Sequence, residues 1–296
     1  MLDQKLSPLE LAAIAAIVII WGVNNAAAKL ATEYMPPMMV ASLRFMIAGV
    51  CLLPFLRPPF PNWKSMVLIA LLGGPVQHYG LIYYAFSISQ DVSPVSVATQ
   101  MWIPFTTLFA FLLLGEKVKI SAIIGMLVAF VGVAWMTADP HALADWEGIV
   151  FGTLGAAVWA LVTVIARRTA SIPPLKMQGI LAWTALPSLA LGSFLFETGH
   201  LEGARAATPL VWGSVLWAGL LSSVAATTLL FWLVQRREAG RVTPYLLGST
   251  VVSVLMGWLF MNDVLTTQII IGASLTMAGV IVVAAAERGL RSGAAR

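Results

Sequence analysis

Residues 120–137 read ISAIIGMLVAFVGVAWMT, without one charged side chain. A helix needs about 20 largely apolar residues to cross roughly 30 Å of bilayer hydrocarbon, so the stretch reads as a membrane span. Its pattern matters as much as its length. Ile123-Ile124-Gly125 with Gly132-Val133 recurs as Ile270-Ile271-Gly272 with Gly279-Val280, an offset of 147 residues (123 to 270), and Glu116 falls opposite Asp263 at the same offset. Weaker matches at compatible spacings pair Trp21 with Trp159, Met35-Pro36-Pro37 with Ile172-Pro173-Pro174, and Ser93-Pro94 with Thr243-Pro244. The chain reads as a duplication, with halves at 1–137 and 138–296.

Outward from that stretch, the whole chain has the same character. Of 296 residues 59% are apolar and 10% charged, and the mean hydropathy is +0.90. Soluble domains carry about 25% charged residues, so the surface of this chain is built for lipid. Ten stretches are long enough to span: Leu9 to Ala31, Pro37 to Leu56, Trp63 to Phe86, Val92 to Leu114, Ile120 to Thr137, Trp146 to Arg167, Leu175 to Phe196, Pro209 to Val234, Val242 to Met261 and Thr267 to Ala286. Five spans per half is an odd number, which inverts the second half relative to the first and places a pseudo-two-fold axis in the membrane plane. The expected fold is therefore all-α and integral to the membrane: ten transmembrane helices as two inverted-topology five-helix repeats.

Charge supplies the orientation. With the N-terminus in the cytoplasm, the even-numbered connections and the two tails hold every Lys and Arg except Lys29 and Arg205, on the other side, and Arg44, inside a span. That bias puts both termini in the cytoplasm, with a bacterial inner membrane as the expected location. The net charge of +4 and pI near 9.4 then report topology rather than a nucleic-acid surface. Lys5, an apolar core and Ala26-Ala27-Ala28 imitate a secretory signal, but a first span with a partner in the second half is expected to be kept. Cys51 is the single cysteine, which excludes an internal disulfide and a CxxC motif; with three histidines, His78, His141 and His200, no metal or other cofactor is expected.

Two halves of opposite orientation offer a route to alternating access, so transport is the leading function. An ordered set of short motifs points the same way: Trp21-Gly22 with Asn24 and Lys29, Leu43-Arg44-Phe45, Ser93-Pro94, Pro104, Gly115-Glu116-Lys117, Gly125 and Gly132-Val133. From about Pro8 to Ala286 the chain resembles the EamA-type drug/metabolite transporter superfamily, and within it most the YddG-type amino-acid exporters. The resemblance implies ten helices in a basket around a central cavity, bounded mainly by the first, third, fourth, sixth, eighth and ninth. Asp263 in place of a loop glutamate, and no proline at the second-half counterpart of Pro104, depart from that pattern.

Polar and ionisable residues inside spans are functional candidates by default. His78 lies mid-span with Gln77, Tyr79, Tyr83 and Tyr84, and an imidazole there suits a substrate's carboxylate or amine. His78 is about 100° round the helix from Tyr79, whereas Tyr79 and Tyr83 share a face, so the three are not expected to converge on one ligand. Trp21 and Trp159, with Asn24 and Thr163 about a turn away, form candidate opposed walls, against a plain packing alternative. Gln100 and Trp102, beside Thr99, combine hydrogen bonding and stacking suited to a zwitterion with an apolar side chain; Ser222, Ser223, Thr227 and Thr228 are a weaker polar group. Arg44 cannot shed its charge, and the family pattern puts its span outside the main cavity helices, so a structural role is expected. Pro94 and Pro244, at matched helix starts, and Pro104, within a span, are candidate gating hinges. Gly148, Gly152, Ala156 and Ala160 recur every four residues and read as a packing stripe.

These features favour a secondary exporter of small amphipathic metabolites, aromatic or apolar amino acids foremost, acting by alternating access. No Walker motif indicates ATP coupling, and the span interiors offer no carboxylate for proton exchange, so facilitated diffusion stands beside antiport. A phosphate-sugar exchanger would need several cavity cations where only Arg44 and Lys29 are candidates. An intramembrane enzyme would need a nucleophile–base or metal constellation that a solitary His78 does not supply, and a membrane scaffold would leave the inverted symmetry without a use.

Overall fold

The computed structural model describes residues 6–58, 74–115, 118–166, 173–236, 242 and 245–294, without the side chains of 74–77, 114, 162–163, 165–166, 231, 234–236 and 287–294. Among these residues every regular element is helical. The first half contains α1 (Pro8–Tyr34), α2 (Pro37–Leu52) with a 3-10 turn (Leu53–Phe55), α3 (Gly74–Ile88), α4 (Val92–Thr99), α5 (Trp102–Leu114) and α6 (Ile120–Thr137). The second contains α7 (Pro140–Ala144), α8 (Trp146–Ala166), α9 (Pro174–Phe196), α10 (His200–Ala206), α11 (Pro209–Leu216), a π-helical segment (Trp217–Ala226), α12 (Thr227–Arg236), α13 (Gly248–Phe260) and α14 (Thr267–Ala294).

Local sequence explains the boundaries. Ser7 opens α1 with a capping box: its hydroxyl accepts the Glu10 N–H at 3.3 Å while Glu10 Oε2 accepts the Ser7 N–H at 2.7 Å. Pro8, Pro37, Pro140, Pro174 and Pro209 stand at the first turns of their helices, where a missing N–H costs nothing. Gly115 ends α5 in the left-handed conformation at φ 66°.

Among the described residues, seven helical stretches are long and apolar enough to cross a membrane: Pro8–Tyr34, Pro37–Phe55, Val92–Leu113, Ile120–Thr137, Pro174–Phe196, Pro209–Leu230 and Thr267–Ala286. Trp146–Leu161 and Gly248–Phe260 are shorter apolar helices, and much of the expected third span lies outside the described residues. The protein is an integral membrane protein. The expected spans are not all continuous α-helices. The fourth is broken at Gln100-Met101 into α4 and α5, and the eighth carries the π segment between α11 and α12. The connections also hold two short helices, α7 and α10, that hydropathy did not reveal.

The repeated glycine motifs face one another. A Cβ on Gly125 would lie 2.8 Å from the carbonyl oxygen of Gly279, and one on Gly272 would lie 2.7 Å from that of Gly132, so α6 and α14 approach backbone to backbone. Thr276 sits in this seam, fully buried, and donates its hydroxyl to Gly272 O at 2.9 Å. The small-residue stripe on α8 packs within the same chain: Gly148 meets Ser89 and Ala85 of the first half, and Gly152 meets Val95.

Candidate functional site

Helices of both halves enclose a cavity of about 190 Å³. α1 contributes Trp21, Asn24, Asn25 and Ala28; α3 contributes His78, Tyr79, Ile82, Tyr83 and Phe86; Thr99, Gln100 and Trp102 come from the α4–α5 break. From the second half come Trp159 on α8, Ser222 of the π segment, Thr227 and Leu230 on α12, and Leu246 and Ser249 near the start of α13. The structure thus brings His78, Tyr79, Tyr83, Gln100, Trp102, Trp21, Asn24 and Trp159 to one space. The Thr163 side chain and the whole of Pro244 lie outside the described residues.

The α4–α5 break follows from Pro104. Without an N–H, Pro104 cannot bond the carbonyl four residues back, and Gln100 O instead accepts the N–H of Ile103 at 3.2 Å. Tighter three-residue bonds, Gln100 N to Val97 O at 3.0 Å and Met101 N to Ala98 O at 3.1 Å, complete the break. Pro104 was expected to bend a continuous helix; it sits instead in the first turn of a new one, and the discontinuity falls one turn earlier, at the lining residue Gln100. Pro94 is buried in the first turn of α4.

His78 and Tyr79 do converge, contrary to the expectation from their angular offset. Their rings meet edge-on at 4.7 Å between centroids, His78 lies 4.8 Å from the Trp159 ring, and both line the cavity. The cavity wraps far enough round α3 to take adjacent positions. His78 Nδ1 donates to the carbonyl of Gly155 at 2.9 Å, which fixes the ring and leaves Nε2 as the acceptor of the neutral imidazole. The aromatic wall gives flat apolar contact. The buried Asn24 Oδ1 has no hydrogen-bond partner. Asn25 holds the floor together, donating to Ser96 Oγ at 3.2 Å and to Ser253 Oγ at 2.9 Å, which in turn donates to Gly22 O.

The walls include two helices outside the expected set. α2 supplies Arg44 and Phe45, and α9 supplies Gln178 and Leu181. Gln178 was missed because its helix was not among those that the resemblance implied. Its one sequence signal is an amide in an apolar span, and it is 3% exposed. Arg44, expected outside the main cavity helices in a structural role, is one of the lining residues.

At one end of the molecule, carboxylates from the second half clamp the starts of first-half helices. Asp145 accepts the N–H groups of Gln90 at 2.6 Å and Asp91 at 2.9 Å. Asp263 accepts those of Val92 at 3.1 Å and Ser93 at 2.8 Å, and also the Ser93 hydroxyl. Glu197 accepts those of Met38 at 2.8 Å and Met39 at 3.1 Å. Anions at helix N-termini fill orphan donors and complement the helix dipole. Asp91 meets His141 Nε2 at 2.8 Å, but burial first, then the charge of Asp263, raise its pKa above the ordinary carboxylate value. Asp139 is opposite: burial would raise it, yet hydrogen bonds from the Thr266 hydroxyl and the N–H groups of Ala142 and His141 hold it below.

The EamA-like transporter family profile matches residues 8–138 and again 146–285. Among similar proteins, the uncharacterized transporter YvbV of Bacillus subtilis is 28% identical over 91% of this chain and 90% of its own length. The uncharacterized inner membrane transporter YedA of Escherichia coli is 28% identical over 86% of this chain and 83% of its own. A probable amino-acid metabolite efflux pump of Salmonella typhimurium is 24% identical over 90% and 91%. A protein crystal structure superposes with a TM-score of 0.62 at 18% identity, covering 96% of this chain and 99% of that one, and shares the fold. With its cavity between helices of both halves and two family matches across most of its length, this chain belongs to the EamA-like transporter family.

Proposed function

We propose that the protein exports small amphipathic metabolites, amino acids with aromatic or apolar side chains foremost, by alternating access through this cavity. The observation that carries the reading is the wall itself: Trp21, Trp102, Trp159, Tyr79 and His78 surround one space, with hydrogen-bonding side chains set among them by both halves. Aromatic faces accept varied apolar side chains, while Gln100, Asn24 and the His78 ring orient a polar head. The name of the Salmonella relative supports the substrate class.

The two family matches and the facing glycine motifs of α6 and α14 support the inverted five-helix repeat at 1–137 and 138–296. Ten spans with both termini cytoplasmic then put the carboxylate clamps on the outer face of a bacterial inner membrane. Releasing the clamps opens that face, and the α4–α5 break at Gln100, with Pro94 and Pro104 beside it, takes up the bending. Pro244 and Thr163 retain their proposed gating and binding roles by repeat position. Among the described residues the cavity lining holds no carboxylate, which favours flux down the substrate's own gradient without proton exchange.

Proteoliposomes loaded with radiolabelled tryptophan or leucine test this. Saturable flux at equal pH on both sides, lowered at least about tenfold by Trp102→Ala or His78→Ala, is expected. Absence of flux for a panel of amino acids in folded protein overturns the substrate class, and accumulation that requires an imposed pH gradient overturns the uncoupled mechanism.

A further inference from the structure

Arg44 is a permanent cation, 4% exposed, on a helix that crosses the membrane. Its Nε donates to Ser223 Oγ at 2.6 Å, one terminal nitrogen to the Tyr83 hydroxyl at 3.2 Å and the other to Ser222 Oγ at 3.1 Å. The Tyr79 ring lies 4.7 Å from its central carbon. All these partners are neutral, and among the described residues no carboxylate pairs with it. A guanidinium carries five N–H donors, so among the described residues each terminal nitrogen keeps one without an acceptor.

The π segment makes this arrangement. Neighbouring residues of an α-helix point about 100° apart, yet both Ser222 and Ser223 reach the same guanidinium. The wider winding is held by side-chain bonds spanning five residues, Ser223 Oγ to Ala218 O at 2.9 Å and Thr227 Oγ1 to Ser222 O at 2.9 Å. Such π turns concentrate at functional sites. Here the turn orients the guanidinium fork without neutralising it, and desolvating an unpaired charge is costly.

We propose that Arg44 is the anion subsite of the cavity, and that it receives the carboxylate of the transported molecule. This rests on the transport reading and narrows it to substrates with a carboxylate. Arg44 is the one Lys or Arg among the described lining residues, which suits a single negative charge and disfavours a phosphate dianion. A carboxylate takes the two spare N–H groups, and the aromatic wall takes the side chain. The bound carboxylate also neutralises the buried charge, so substrate binding is expected to stabilise the carrier.

The test compares three ligands of one side chain on wild-type protein in detergent, by calorimetric binding and thermal shift: tryptophan, its decarboxylated amine tryptamine, and the deaminated acid indole-3-propionate. Tryptophan and the acid are expected to bind at least about tenfold more tightly than the amine, since a charge-assisted pair is lost. In Arg44→Gln the preference is expected to collapse. If that variant does not fold, Ser223→Ala leaves the charge in place and is expected to weaken acid binding more than amine binding. Equal binding of amine and amino acid to wild type overturns the proposal. Carboxylate-selective binding without vesicle flux sustains the subsite while removing the transport reading; flux of tryptophan and tryptamine alike does the reverse.

Discussion

Asp263, in the loop before α14, accepts the backbone N–H of Ser93 at 2.8 Å from 170 residues further along the chain. The same carboxylate takes the Val92 N–H and the Ser93 hydroxyl, so one side chain of the second half completes the start of α4. It is 4% exposed, and its removal leaves buried donors without partners. Asp263→Ala is expected to lower the thermal midpoint in detergent by the equivalent of about 2–3 kcal/mol. Asp263→Asn keeps one acceptor oxygen and should lose less. Equal, negligible shifts in both would show that the clamp is replaced by water at no cost.

Little of that clamp was legible in the sequence. Asp263 stood out as a departure from a loop glutamate, but hydropathy carries no information about which helix start a distant carboxylate reaches. What could be read was whatever repeats or is periodic: the long apolar helices among the described residues, the glycine motifs of α6 and α14, and aromatic residues on α1, α3 and α8. Breaks in helices were harder. The π segment of residues 217–226 has no proline or glycine run to announce it; five-residue bonds of Ser223 and Thr227 support it. Arg44 stands out in the sequence as a charge inside a span, but the position of its helix carries no sign that its long side chain reaches the cavity.

The glycine seam gives a packing prediction. Gly132 touches the backbone of Thr276 and Gly272 so closely that no Cβ fits, whereas a Cβ on Gly213 meets nothing within 4 Å. Gly132→Val is expected to destabilise by about 1–3 kcal/mol or more, and Gly213→Val far less. Detergent melting of the two variants checks this; similar midpoints would mean that α6 and α14 are free to separate.

The two aspartates with opposite shifts give opposite pH dependences. Asp91 has its pKa raised from 3.8, so the folded protein holds that proton more tightly than the unfolded chain, and stability falls as pH rises through the raised value. Asp91→Asn should therefore melt higher than wild type at pH 7, with the gap closing as pH falls toward 4. Asp139 has its pKa lowered, so its contribution is present above 3.8 and lost as pH falls through the depressed value. Asp139→Asn should melt lower at pH 7, with the gap closing only in stronger acid. Melting curves across that range distinguish the signs.

Pro104 offers the sharpest separation of stability from transport. Replacing it with alanine restores an N–H that can reach Gln100 O, the carbonyl now bonded by Ile103. The turn at Gln100-Met101 can then wind into one helix from Val92 to Leu114, and a proline inside a helix costs about 3 kcal/mol that alanine does not. Such winding turns Gln100 and Trp102 away from their places on the cavity wall. Pro104→Ala is thus expected to melt at or above the wild-type temperature while its amino-acid flux falls several-fold. A variant that melts lower, with flux unchanged per folded molecule, would mean that the break is needed for packing and that the cavity residues keep their positions without it.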